Sequence, residues 1–483
     1  MRQVALVNEE IDKSIIDFPL LHINIQETNI PGILVLENTK VYGKTKNGKL
    51  LYRCIPNDIM LPNFIIPYEI ILSTNLALDN IYITFHFIEW NDIYPIGMIT
   101  HIIGNVSDVI NYYEYQLYCK NLIPPISQFT KDTMKKIGIQ PCKNIKKINM
   151  KYPNIQNRTN FNIYTIDLRE SNDYEDGFSI IEYDDGYILS IYISNVTLLL
   201  DYLDLWESFS QRISTIFLPN GKRLMLPVLI SDDICSLREN NKCFCFTLDI
   251  MLDKNYIIED INICNTMICV SKNYNYEEPE LLENKSYILL KQVFTSMLIN
   301  YNYIEKIKDS HDVINYMIIL MNHIVAKQMK QFKNGIFCRN NLKNNITLKN
   351  IKITEDSIGI NQYDLEFNMK HSLSVSHSIF KYIDGMNEDP LFNESIDIEN
   401  NTKDGLSYER LDYYLHITSP NHRLVDLLNI IQFQINTEMV KLSDKAYAFH
   451  KKWINQIDMI NLTMKNITQV QIDCILLGKF TNN

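Results

Sequence analysis

The chain has 483 residues, a formal net charge of -11, 46% apolar residues and 21% charged residues. That balance belongs to a folding chain and excludes an intrinsically disordered one. The length suffices for two or three domains, the acidic sum argues against a protein that coats nucleic acid non-specifically, and no apolar run reaches the roughly 18–20 residues of a membrane span.

Residues 1–30 read as a lead-in, in which the acidic turn after MRQVALV precludes a signal-peptide core. From 31 to 120 short β-rich runs alternate with turn signals: GILVLE, KLLYRCIP, FIIPYEIIL, IYITFHFIEW and IGMITHIIG. Lys46-Asn47-Gly48 is a hairpin signal. Four or five such strands suggest a small closed barrel of the oligonucleotide-binding (OB) type, with a generic β-domain as the other reading. Residues 121–160 read as helical and then loopy, a basic connector whose lysines form either a solvated face, the default reading, or a nucleic-acid rim. The chain turns β-rich again from Ile163 to about Leu252, then helical over 281–332, where HDVINYMIILMNHIVAKQM has the spacing of a buried helix. Residues 340–405 are polar and Asn-rich. Ser419 and Pro420 read as N-cap and first position of a helix from Asn421 to about Ile431. Further helices are expected to 460, and a tail over 461–483. The 10 cysteines lack zinc-site spacing and point to free thiols in a reducing, cytoplasmic setting.

The most informative segment is TIDLRESNDYEDG, residues 165–177. Four carboxylates, Asp167, Asp173, Glu175 and Asp176, fall within ten positions, the first directly after an apolar strand. Like charges this dense repel unless protons or cations neutralise them, and hard oxygen donors select Mg²⁺ or Mn²⁺. An exposed acidic loop is the commoner fate of such a cluster, and the segment alone does not choose between the two.

The segment resembles the T-I-D-x-x-x-A-x-D-x-D-D-A pattern of the RNB family, the 3′→5′ exoribonucleases of the ribonuclease II and ribonuclease R type. Five further blocks follow in the family's order: IYISNV, SQRISTIFLPNGKRLMLPVLISDDICSL, SKNYNYEE, MIILMNHIVAKQM and YYLHITSPNHRLVDL. The strands of residues 31–120 are similar to the cold-shock-type barrel that precedes the family's catalytic domain. The resemblance implies an α+β chain: an OB barrel at 31–120, a linker at 121–160 and a mixed α/β RNB catalytic domain at 161–460. No C-terminal S1 barrel is expected in the 23 residues after it.

The implied activity is processive hydrolysis of single-stranded RNA from its 3′ end to nucleoside 5′-monophosphates by two-metal-ion catalysis with Mg²⁺, or Mn²⁺ in its place. Carried over, Asp167, Asp173 and Asp176 bind metal, and Glu175 stands where the family has another Asp. Arg423 matches the second Arg of the family's S-P-I-R-R and completes the catalytic set, with Asp426 orienting it. Tyr276, Phe217, Ser419 and His422 are the implied RNA contacts. Tyr276 matches a tyrosine that stacks on the terminal base, Phe217 replaces a tyrosine, and His422 replaces the first Arg. Tyr192 and Asn195 replace the His and Asp of V-H-I-A-D-V, and Ile430-Ile431 replaces a His-Arg pair. These departures imply thinner RNA contacts. The alternative reading is a catalytically weakened or inactive RNB-fold subunit that binds RNA or scaffolds an RNA-processing complex. The implied partners are single-stranded RNA and proteins of such a complex, with no membrane, the chain being a monomer or a hetero-complex subunit.

Overall fold

The computed structural model describes residues 29–37, 40–70, 79–90, 93–138, 141–169, 171–301, 303–304, 306–340, 378–384 and 414–481. Most of the polar 340–405 stretch lies outside them, as does most of the lead-in. The chain divides into two compact units, one of residues 1–123, 218–221 and 466–483, the other of 124–217 and 222–465.

The first unit is built on a closed barrel of five strands, β1 (Ile30–Leu34), β2 (Leu50–Pro56), β3 (Phe64–Tyr68), β4 (Ile81–Glu89) and β5 (Ile96–Asn105), in the order β1-β2-β3-β5-β4. Alternation along β4 sends Ile81, Ile83, Phe85 and Phe87 into one core with Tyr52, Cys54, Phe64 and Ile66. Gly48, at φ +82, closes the β1–β2 connection as the hairpin signal requires. Helix α1 (Val109–Cys119) follows, with Asp108 as N-cap to the Ile110 N–H.

The second unit begins with two helices, α2 (Ser127–Ile137) and α3 (Pro141–Lys151), so the stretch read as a connector is largely helical. Its centre is a seven-stranded sheet of β6 (Gln156–Arg158), β7 (Tyr164–Asp167), β8 (Asp176–Tyr183), β9 (Gly186–Ser194), β12 (Lys242–Asp253), β13 (Ile258–Cys269) and β14 (Lys272–Asn275), ordered β14-β7-β8-β9-β12-β13-β6. Between β9 and β12 come α4 (Val196–Tyr202) and the short strands β10 (Ile216–Leu218) and β11 (Gly221–Arg223). After β14 the chain forms α5 (Pro279–Leu282), α6 (Lys285–Met297), α7 (Ser310–Gln331), β15 (Asn334–Asn340), β16 (Ser378–Asp384), α8 (Leu424–Asn436) and α9 (Asp444–Ile454). Helix α10 (Ile457–Thr481) occupies the residues expected to be a tail. No helix of the described residues is long and apolar enough to cross a membrane.

The period-2 pattern of the strands gives the sheet two different faces. Leu189, Ile191 and Ile193 of β9 and Phe246, Leu248 and Ile250 of β12 join a core with α6, α7 and α8. Each such side chain, fully buried, contributes about 1.5–3 kcal/mol. Polar and equally buried residues alternate with them, Ser190 and Tyr192 on β9 and Thr247 and Asp249 on β12, and Thr266 of β13 bonds Thr247 on the same face. Arg158 enters this face and binds both oxygens of Asp249 at 2.6 Å. Ser190 donates to Asp249 at 2.7 Å, and the Tyr192 hydroxyl meets Ser179 at 2.8 Å.

Two outcomes follow for stability. Asp249→Ala leaves the Arg158 guanidinium buried without its partner and should lower the stability of this unit by about 3–5 kcal/mol in denaturant unfolding. His450 on α9 is buried with its Nε2 unbonded, and burial pushes its pKa down to about 4. The unfolded chain, with a histidine near 6.5, therefore binds the extra proton first. Stability should fall as pH drops from about 6.5 to 4, by about 3 kcal/mol in total. His450→Leu should flatten that slope in thermal melts across the same pH range.

Candidate active site

Two strand ends bring the first carboxylates together. Asp167 is the last residue of β7 and Asp176 the first of β8, and the two strands pair at Tyr164 and Phe178. The approach is close at Gly177, where an added Cβ would sit 3.0 Å from the Tyr164 carbonyl oxygen. On the other side of β7, Asn275 pairs with Asp167, and the Tyr276 N–H donates to the Asp167 carbonyl at 3.1 Å. The loop between β7 and β8 carries Asp173 and Glu175. It is pinned by Tyr174, whose N–H donates to Ser236 Oγ at 3.0 Å, and by the Glu175 carbonyl, which accepts from the Ser194 N–H at 2.8 Å.

The four carboxylates fall into two classes. Asp167 and Asp176 each have an Oδ2 shut away from solvent with no hydrogen-bond partner. Burial raises the Asp167 carboxyl well above its usual range, and the charge of Asp176 raises it further. Asp176 is pushed up to about 7 by burial and by Glu175. Asp173 and Glu175, in contrast, are satisfied by the chain. Lys222 on β11 donates to both oxygens of Asp173, at 2.7 and 2.9 Å, and His422 Nε2 lies 2.9 Å from Asp173 Oδ2. Burial alone would raise the Asp173 carboxyl, but the bond from His422 and the charges of His422 and Lys222 hold it below its ordinary value. Glu175 Oε1 accepts the Asn421 N–H at 2.8 Å, and Oε2 lies 3.7 Å from His422 Nε2. Burial still leaves the Glu175 carboxyl raised.

His422 is thus held at both nitrogens, with Nδ1 3.1 Å from Thr215 Oγ1. Burial opposes its charging, but Glu175 and Asp173 outweigh burial and raise its pKa. Phe217 packs edge-on to the His422 ring at 5.6 Å, with the Lys222 ammonium 5.6 Å from its centroid. Arg423 donates to both oxygens of Asp426, at 2.8 and 2.9 Å.

The expected helix start is corrected here. Helix α8 begins at Leu424 with Arg423 at its N-cap, three residues later than the Ser419-Pro420 signal implies. The Asn421 N–H goes to Glu175 and the His422 carbonyl accepts from the Thr215 N–H at 2.8 Å, so residues 421–422 are committed to tertiary bonds. Ser419 closes the turn instead: its carbonyl accepts from the His422 and Arg423 N–H groups, and its own N–H donates to Asp426 at 2.8 Å.

Tyr276 lies beside the cluster, and its ring stacks on His311 with centroids 3.8 Å apart. The neighbouring Glu277 accepts from the N–H and hydroxyl of Ser310 at 2.6 Å, which fixes this loop to the start of α7. Tyr192 and Asn195 are not part of the cluster's bonding. Tyr192 belongs to the polar face of the sheet, and Asn195 donates to Asn265 at 2.8 Å.

The three aspartates expected to bind metal therefore do not stand alike, because Asp173 is already neutralised by Lys222 and His422. Among the described residues no three His, Cys, Asp or Glu side chains form a metal-holding group. Sequence reasoning missed Lys222 and Asn421. Lys222 lies inside a quoted block, but nothing local marks it as the partner of a residue 49 positions away.

The RNB domain model matches residues 155–287 and 280–438. Ribonuclease R of Chlamydia pneumoniae is 21% identical over 310 residues, 55% of this chain and 45% of that protein, so the chain spans about half the length of this curated relative. Among solved structures, Mycoplasma genitalium RNase R in complex with ribose-methylated single-stranded RNA superposes with a TM-score of 0.62 at 14% identity, covering 92% of this chain and 75% of that one. Yeast Ssd1, a pseudonuclease, superposes with a TM-score of 0.55 at 14% identity, covering 92% of this chain and 59% of that one. The model match covers more than half of the sequence, its blocks recur in order, and the barrel-plus-sheet architecture is shared: the chain belongs to the RNB family.

Proposed function

We propose that this chain is a 3′→5′ exoribonuclease that hydrolyses single-stranded RNA processively to nucleoside 5′-monophosphates with a divalent cation, Mg²⁺ or Mn²⁺. The observation that carries this reading is the pair of unbonded, solvent-shielded oxygens on Asp167 and Asp176. Two neighbouring carboxylates, each with a shielded and unbonded oxygen, are costly unless a proton or a cation joins them. Their all-oxygen character fits a hard divalent ion. Asp167 and Asp176 are the residues that would hold it, and when bound it would supply Lewis-acid polarisation and a more acidic water.

The remaining residues bind and orient. Arg423, clamped by Asp426, brings a fixed guanidinium to the cluster, suited to a phosphodiester oxygen. His422 and Phe217 form a wall beside Asp173. Tyr276, backed by His311, offers an aromatic platform for which every base has a matching π-face. The five-stranded barrel is the module expected to grip the strand upstream. In the domain plan this reading keeps 31–120 as the barrel and 161–460 as the catalytic domain.

The second reading, an RNA-binding or scaffolding subunit without hydrolytic activity, is favoured by one observation: Asp173 is neutralised by the chain's own cations. Single-stranded RNA labelled at the 3′ or the 5′ end, incubated with Mg²⁺ or Mn²⁺, separates the two. The expected result is release of mononucleotides from the 3′ end, reduced about 10²-fold or more by Asp176→Asn, with a DNA strand resistant. Binding of RNA by both proteins with release by neither would leave the scaffold reading.

A further inference from the structure

The cluster is unequally provided for, and most of what serves it comes from outside the acidic loop, from Lys222, Asn421 and His422. Four carboxylates meet within one loop and two strand ends, yet only Asp167 and Asp176 among them carry a solvent-shielded oxygen, Oδ2, with no hydrogen-bond partner. Asp173 has its whole acceptor capacity taken: Lys222 spans both oxygens, His422 meets Oδ2, and the Ser171 hydroxyl donates to Oδ1 at 3.2 Å. The Asp173 side chain is 3% exposed, so its environment is set by the protein and not by water. Glu175 is engaged by Asn421.

We infer that Lys222 is a positioning residue that withholds Asp173 from metal and so sets the site's capacity at one divalent ion, held by Asp167 and Asp176. A lysine ammonium on its own tether is a fixed unit charge that cannot be diluted away. Placed across both oxygens of Asp173, it does the neutralising that a second ion would otherwise do there. Lys222 reaches Asp173 from β11, a short strand 49 residues away in the chain, with its ammonium 5.6 Å from the centroid of the Phe217 ring. The charge count is simple: Asp173 and Glu175 stand opposite Lys222 and His422, and the two remaining carboxylates would balance one dication. This inference rests on the metal-dependent reading above and adds the number of ions and the residue that fixes it.

The test is Mn²⁺ binding to the full chain without RNA, followed by electron paramagnetic resonance and by titration calorimetry. The unaltered chain should bind one Mn²⁺. Asp173→Asn should leave the count at one, whereas Asp167→Asn should weaken binding by about tenfold or more. Lys222→Met should admit a second Mn²⁺, and Lys222→Arg, which restores the charge, should return the count to one. Two ions on the unaltered chain, or loss of an ion on Asp173→Asn, would overturn the role of Lys222 and leave the hydrolase reading standing. A count of one on a folded Lys222→Met would overturn it equally. If Lys222→Met does not fold, the Asp173→Asn titration decides alone. No Mn²⁺ on the unaltered chain would remove the metal site itself, and the inference with it.

Discussion

Mutual repulsion among four clustered carboxylates, two of them buried and two with a shielded oxygen, is the constraint around which the second unit's site is organised. Negative charges in a poorly solvated place must be bonded, protonated or matched by cations. Asp173 and Glu175 are served by residues from β11 and from the turn before α8. Asp167 and Asp176 are left with oxygens that nothing in the chain satisfies. A proton or a cation at those two oxygens would relieve the repulsion that the chain's own groups leave.

Two departures from the family pattern make physical sense together. Glu175 has one methylene more than the expected aspartate, and its oxygen reaches the Asn421 N–H. His422 stands in place of an arginine, and its two ring nitrogens join Thr215 to Asp173. An arginine there would carry its charge farther and spread it over a planar fork. The histidine keeps it close to the carboxylates, while Arg423 remains tied to Asp426. The cationic side of the site is therefore turned partly inward, toward its own acids.

The sheet supplies the rigidity this arrangement needs. One face is packed with branched and aromatic side chains against α6, α7 and α8. The other face holds a buried polar network centred on Arg158 and Asp249. Such a network is expensive unless complete, and here Ser190 and Asn262 fill the remaining acceptor positions of Asp249. Tyr192, which replaces a family histidine, belongs to this face and serves the scaffold.

The sequence by itself determined the strands, because alternation and turn chemistry are local: the five strands of the closed barrel fall within or across the runs from GILVLE to IGMITHIIG, and TID ends a strand with Asp167 at its edge. It also determined the family, through ordered blocks that span the sheet and α8. Only the tertiary structure decided which acids are engaged. Lys222 and Asp173 are 49 residues apart, and Asn421 and Glu175 are 246 apart. Neither pair has a spacing that periodicity could reveal. The same holds for the start of α8, where a sound capping signal at Ser419 yields to bonds that residues 421 and 422 make with the distant Glu175 and Thr215. Local rules set which residues can enter a helix or a strand, but the pairing of charges follows from which elements pack together, and that is a property of the folded chain.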